Sequence, residues 1–247
     1  MNILVKVLMA TALMLMSSTL LATQPILVWE WQVAPGKAGD FAAAFDDLQQ
    51  SKVGQDRTAQ VQLQSVTFNG TSPATHRVVA LYPNLAELEK WNVKLMGSQA
   101  QQTFGSAIAE IATPVSQTIS VPMQNWGEVS SDDVYWDLIS INASDPASVL
   151  SGMNELMGSK DLSEFPGQVW LVQLFRGHAG SGGTMTHQIA IGWESMSEME
   201  AFNDEMYQTK AWQKWIGIAS QSFTIVNRES ISWLKAYEHN YSLEDFD

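Results

Sequence analysis

The chain has 247 residues, a formal net charge of −13 and no cysteine. That charge repels nucleic acid and anionic membrane surfaces, and the missing cysteines exclude disulfides, thiolate metal sites and Cys nucleophiles. Hydrophobic residues at 45% and charged residues at 16% describe a globular chain large enough to be held by its core alone, with ten tryptophans to bury or to offer a ligand.

Residues 1–22 read as a secretory signal. Lys6 gives a weakly basic start, Val7 to Met16 is almost wholly apolar, and Ser17, Ser18 and Thr19 lead to a candidate cut after Ala22. A retained anchor is the alternative, but the apolar run is short for a span of roughly 20 residues. The mature protein is therefore expected in the periplasm or secreted. A strand follows at 25–33, then a helix at about 37–51 after the Pro35-Gly36-Lys37 corner. A hairpin is predicted at 60–69 and 75–82. A second helical stretch comes next at about 84–111, where Leu85, Leu88, Trp91, Asn92 and Leu95 share a face. The last strand runs from about 115 to 123.

The same order then repeats. A shift of 108 residues lays Leu27–Lys52 over Tyr135–Lys160 and Val61 over Val169. Beyond the hairpin the shift becomes 111, and ATHRVVALYPNLAELEKWN lies over MTHQIAIGWESMSEMEAFN. The register changes in RGHAGSGG, a glycine-rich loop where insertions are tolerated. The second strand, helix, hairpin, helix and strand fall at 134–142, 145–158, 168–176 with 186–193, 195–221 and 223–233. Asp145-Pro146 suits the helix start, as N-cap and first helical residue. Each copy thus reads β-α-β-β-α-β, the ferredoxin-like split unit. Their first strands are apolar on both faces, which calls for a second layer. The expected class is α+β: two tandem ferredoxin-like repeats, 23–128 and 129–238, packing sheet-to-sheet as an intramolecular α/β barrel. An acidic tail, 239–247, is expected to fray.

QVAPGKAGDFAAAF resembles the first strand-to-helix corner of the dimeric α/β-barrel superfamily, and YQTKAWQKW (207–215) resembles the stretch after the second helix in its NIPSNAP-like members. The superfamily also holds antibiotic-biosynthesis-type monooxygenases. The resemblance covers both copies, although the second has INASDPASV where the first has VAPGKAGDF. It implies that a barrel usually built by two chains is built here by one, as a monomeric pseudo-dimer with higher assembly left open. It also implies a choice among cofactor-free oxygenases, haem-handling enzymes and proteins of no known activity.

The candidate residues come in pairs. His76 and His187 occupy matching places at the start of the third strand of each copy. Neutral imidazole there can act as a base or bind haem iron or zinc; the structural alternative is a strand-entry Thr-His pair. Asn92 and Asn203 interrupt apolar helix faces and would either meet a ligand or pin backbone. Trp29 and Trp31 offer aromatic wall, and Arg176 is a polar exception on a hairpin strand. Glu30 and Asp137, charged among aromatics, would have raised pKa values if buried, and ordinary ones on a wet edge. No metal-ligand spacing or nucleophile motif is present. The expected function is binding of a small apolar or aromatic ligand between sheet and helices. The alternative is a cofactor-free monooxygenase or haem-handling enzyme, with haem the one cofactor the resemblance suggests.

Overall fold

The computed structural model describes residues 24–178 and 185–246. Residues 1–22, expected to be a signal, and the loop glycines 180, 182 and 183 lie outside the described residues. The first half runs β1 (Ile26–Val33), α1 (Ala38–Gln50), α2 (Lys52–Gln55), β2 (Ala59–Phe68), β3 (His76–Leu81), α3 (Leu85–Leu95), α4 (Gln99–Ile108) and β4 (Ala112–Trp126). The second runs β5 (Tyr135–Ala143), α5 (Pro146–Met157), a 3₁₀ turn (Lys160–Leu162), β6 (Gln168–His178), β7 (His187–Trp193), α6 (Met196–Met206), α7 (Lys210–Ser222) and β8 (Phe223–His239). No helix among the described residues is long and apolar enough to cross a membrane.

The strands close a barrel in the order β1-β3-β2-β8-β5-β7-β6-β4. Each half supplies an antiparallel four-stranded sheet, and β2–β8 and β4–β6 hydrogen bonds join the two along both edges. The halves are therefore stitched edge to edge, and their inner faces meet as the lumen of one closed sheet, which leaves no free edge. Alternation decides what goes where. Val28, Val79, Leu138, Val172 and Ile231 point inward, whereas Leu27, Val61, Val78 and Val33 pack outward under α1, α3 and α4. A third cluster, with Ile141, Leu171, Ile189, Met153 and Trp215, lies under the helices of the second half.

Three expectations need correction. Each second helical stretch is two helices. Gly97, at φ 73°, breaks the first, and Ser98 caps α4 by accepting from the Gln101 N–H at 3.1 Å. Thr209 caps α7 by accepting from the Trp212 N–H. The first strands also correspond two residues differently from the helices. Trp31 lies opposite His76 and Ile141 opposite His187, because the β–α connection is two residues shorter after β5. A shift of two keeps every side chain on its face, so sequence periodicity does not reveal it. Finally, the tail is not frayed: Leu243 and Phe246 are 3% and 1% exposed, inside the barrel mouth.

Helix packing in the second half turns on Gly152 of α5. A Cβ there would stand 2.9 Å from the Trp215 ring of α7. Gly152→Ala is expected to destabilise by about 1–3 kcal/mol through overpacking, outweighing the roughly 1 kcal/mol that alanine gains in a helix. Urea denaturation measures the balance, and an unchanged midpoint would show that Trp215 yields freely.

Candidate functional site

A cavity lies in the second half, between the outer face of β5–β8 and helices α5–α7. Its volume is about 690 Å³, within the roughly 300–1,000 Å³ range of small-molecule sites. Ile139, Ile189 and Ile191 form its floor, and Met153, Met206, Trp212 and Trp215 cover it. Methionine and tryptophan supply soft, polarisable walls that adapt to a flat apolar guest. Phe68, 60% exposed, joins Tyr207, Ile216 and Ile225 as an apolar rim at the mouth.

The two halves differ in bulk at matched positions. By strand pairing Trp29 corresponds to Ile139, and by helix register Phe45 corresponds to Met153 and Ile108 to Ala219. In the first half Phe45 and Ile108 are buried in a core with Phe41, Trp91 and Tyr237, and Trp29 packs against it. Smaller side chains at the same places in the second half leave the space open.

Polar groups gather at one side of the cavity. Asp137 on β5 accepts a 2.6 Å hydrogen bond from the Ser230 hydroxyl. Burial pushes the Asp137 carboxyl above the ordinary aspartate value, while Ser230 and the Arg228 guanidinium draw it back. Because the barrel is closed, β5 is not an edge and Asp137 is half-buried. Glu30, the other charged exception, points into the lumen, 3.5 Å from Arg77, so it too does not occupy a wet edge. Asn203 on α6 brings an amide to the cavity wall.

The other candidates lie elsewhere. His76 and His187 are 8% and 3% exposed, and neither lines the cavity. In each, Nδ1 is within 3.0 and 2.9 Å of the preceding threonine hydroxyl. Thr75 Oγ1 in turn accepts from the Val33 N–H, and Thr186 Oγ1 from the Ala143 N–H, both at 2.9 Å. The pair is a latch between the first and third strands of each half. Burial lowers both imidazole pKa values and so favours the neutral ring. His187 Nε2 is buried without a partner. Asn92 is exposed on α3, so its amide enters no buried face. Trp31 packs on Phe41 at 5.9 Å, making Trp29 and Trp31 wall of the first half. Arg176 is exposed, its guanidinium 4.2 Å above the Phe175 ring. Of the residues singled out from the sequence, Asn203 and Asp137 line the cavity. Asp137, Arg228 and Ser230 complete the site, and among them only Asp137 carries a sequence signal, a charge in an aromatic strand.

Haem does not fit these residues as an imidazole-held group, because His76 and His187 serve the strand latches, His239 bonds Gln49, and no histidine is among the residues that line the cavity. Among the described residues no group of three or more His, Cys, Asp or Glu is placed to hold a metal ion.

The fold is an α/β barrel of the kind seen in dimeric α/β-barrel proteins, closed here by strands of one chain. No protein-family model and no curated protein matches the chain. Among solved structures, a proposed monooxygenase of Fusobacterium nucleatum is 13% identical, with a TM-score of 0.59, over 88% of this chain and 95% of its own. An anthrone oxidase-like protein is 13% identical (TM-score 0.55), over 88% of this chain and 93% of its own. A haem-binding protein of Thermus thermophilus is 12% identical (TM-score 0.50), over 86% of this chain and 92% of its own. At these identities the likeness is one of fold.

Proposed function

We propose that this is an exported small-molecule-binding protein whose ligand, apolar or aromatic with one polar end, occupies the sheet–helix cavity of the second half. The observation that carries the reading is the cavity itself, open where Ile139, Met153 and Ala219 replace the bulk of Trp29, Phe45 and Ile108. The ring system lies on Ile189 and Ile191 beneath Trp212 and Trp215, and the polar end meets Asp137, Arg228 or Asn203. Export rests on the 1–22 segment, and the closed barrel supports a monomer. The net charge of −13 argues against nucleic acid as a partner.

Native mass spectrometry of the purified chain, with tryptophan fluorescence during titration of naphthol, tests the binding reading. A bound small molecule, or a saturable fluorescence change lost in a variant that fills the cavity, is expected. Absence of both counts against it.

One observation favours a catalytic second reading. Asp137 is a half-buried carboxylate beside an apolar cavity, the setting in which a carboxylate can take a proton from a bound aromatic acid. Fold neighbours described as a proposed monooxygenase and an anthrone oxidase-like protein make oxygen the co-reactant to test. With anthrone as probe, Asp137→Asn is expected to retain binding and to lose oxygen consumption at least 100-fold. No consumption by the wild type, or equal consumption by both, removes the reading.

A further inference from the structure

We propose that the barrel lumen is a second binding site, for an aromatic primary amide, and that residues 240–246 are its removable plug. The site is independent of the sheet–helix cavity, being enclosed by the opposite face of the sheet. All eight strands line it.

The plug is bound to the barrel more by side chains than by backbone. The chain leaves β8 at His239 and turns at Asn240, the one described non-glycine residue with positive φ, 56°. Its hydrogen bonds then close mostly on themselves. Asp245 Oδ2 accepts from the Ser242 N–H and hydroxyl at 2.9 and 3.0 Å, and the Phe246 N–H donates to Leu243 O at 3.0 Å. Tyr241 accepts from Gln24 Nε2 at 3.1 Å, and the Asn240 amide donates at 3.4 Å to the carbonyls of Gln55 and Arg57. What enters the lumen is Leu243 and Phe246, the latter with its ring 5.5 Å from Trp170. An aromatic side chain seated on tryptophan, without strand pairing, marks a place that a free aromatic ring can take.

Beyond the plug the lumen is unfilled. About 100 Å³ remains open towards Gln62, Gln64, Arg77 and Gln188. The glutamines of β2 form a directional chain: Gln64 Nε2 donates to Gln62 Oε1 at 2.7 Å, and Gln62 Nε2 to Gln60 Oε1 at 3.0 Å. That leaves Gln64 Oε1 a buried acceptor with no donor. Opposite it in the β2–β3 pairing is Arg77, whose Nε is buried with no acceptor in hydrogen-bond geometry. Its 3.5 Å approach to Glu30 is a charge contact without a hydrogen bond. Unmet buried polar atoms of opposite kind on paired residues call for a group that both donates and accepts. A primary amide does this, its oxygen on Arg77 and its nitrogen on Gln64. A carboxylate is disfavoured, because Glu30 and Glu229 already set two carboxyl groups against Arg77 in the lumen.

Calorimetry with 3-phenylpropanamide tests the site. Phe246→Ala should bind it at least tenfold more tightly than wild type, since the phenyl ring replaces the one removed. In the wild type, saturating probe should raise hydrogen exchange across 241–246. The same ring with a carboxylate, 3-phenylpropionate, should bind Phe246→Ala at least tenfold more weakly, and adding Gln64→Leu should narrow that difference by weakening the amide alone. Filling the sheet–helix cavity should leave all of this unchanged, so the two sites fail or stand separately. Equal affinity of wild type and Phe246→Ala, or no binding by either, overturns the plug. Equal binding of amide and carboxylate overturns the ligand class. If Phe246→Ala does not fold, Phe246→Leu carries the same comparison.

Discussion

Met153→Phe and Ala219→Ile, made together, are expected to weaken ligand binding in the second half at least 100-fold while leaving the protein as stable as before or more so. Both copy the first half, where Phe45 and Ile108 are buried in a packed core. Here both positions line the cavity of about 690 Å³. Added methylenes in an empty apolar space gain burial, at about 0.8 kcal/mol each, whereas the same atoms forced into a full core would cost about 1–3 kcal/mol. The sign of the stability change thus reports whether the space is real. An increase of 1–2 kcal/mol would raise Tm by roughly 2–8 °C in a chain of this size. Lost binding with raised Tm places the ligand in the cavity. Unchanged binding places it elsewhere, and lowered Tm means that the helices already close over the space on average.

Much of the fold is legible in the residues, and the reasons it is not all legible are physical. Period-2 alternation in Trp29, Trp31 and Val33, and the apolar stripe through Leu88, Trp91 and Leu95, set strands and helices because burial selects side chains. Edge-to-edge closure is made by backbone groups of β2 with β8 and β4 with β6, which every residue carries, so composition says nothing of it. Bulges have the same character. Pro122 is tolerated inside β4 because the ladder to β6 slips between Pro122 and Gln124. The tail misleads for the opposite reason. Its acidic residues dominate a short window, while two apolar residues, Leu243 and Phe246, decide its position.

The candidate site is less legible still. His76 and His187 stand out because histidine is scarce and the two positions match, yet both are explained by a bond to the neighbouring threonine. The residues that make the cavity are ordinary: Ile139, Met153, Ala219. Nothing in any of them taken singly announces a site. The signal is a difference between copies, bulk in one and its absence in the other, and it requires the strand register that the two-residue shift conceals. Asn92 and Asn203 show the same limit. They occupy the same helical position, and only the second has open space beside it.

Glu229→Gln is expected to stabilise the protein by up to about 3 kcal/mol at pH 8 and by almost nothing below pH 4.5. Glu229 lies in the lumen on β8, where burial pushes its carboxyl from 4.5 up to about 7; Glu30 adds to the rise, and Arg77 and the Asn227 hydrogen bond oppose it. Between those values the folded chain holds a proton that the unfolded chain has released. More protons on the folded state means that stability falls as pH rises. The favourable contribution is therefore complete below about 4.5 and lost above about 7. A difference of some 2.5 units at 1.36 kcal/mol each gives about 3 kcal/mol. Glutamine keeps the size and an acceptor for Asn227 and carries no charge, leaving Arg77 to Glu30 alone. Urea denaturation of both proteins from pH 4 to pH 8 reads the effect as two curves that meet in acid and separate through pH 5–7. Asp137 and Asp133, whose carboxyls burial also raises, and His76, His187 and His239, whose imidazoles burial lowers, slope in opposite senses but are common to both proteins and cancel in the difference. Parallel curves would mean that water reaches Glu229 through the polar end of the barrel and keeps its carboxyl near the ordinary glutamate value.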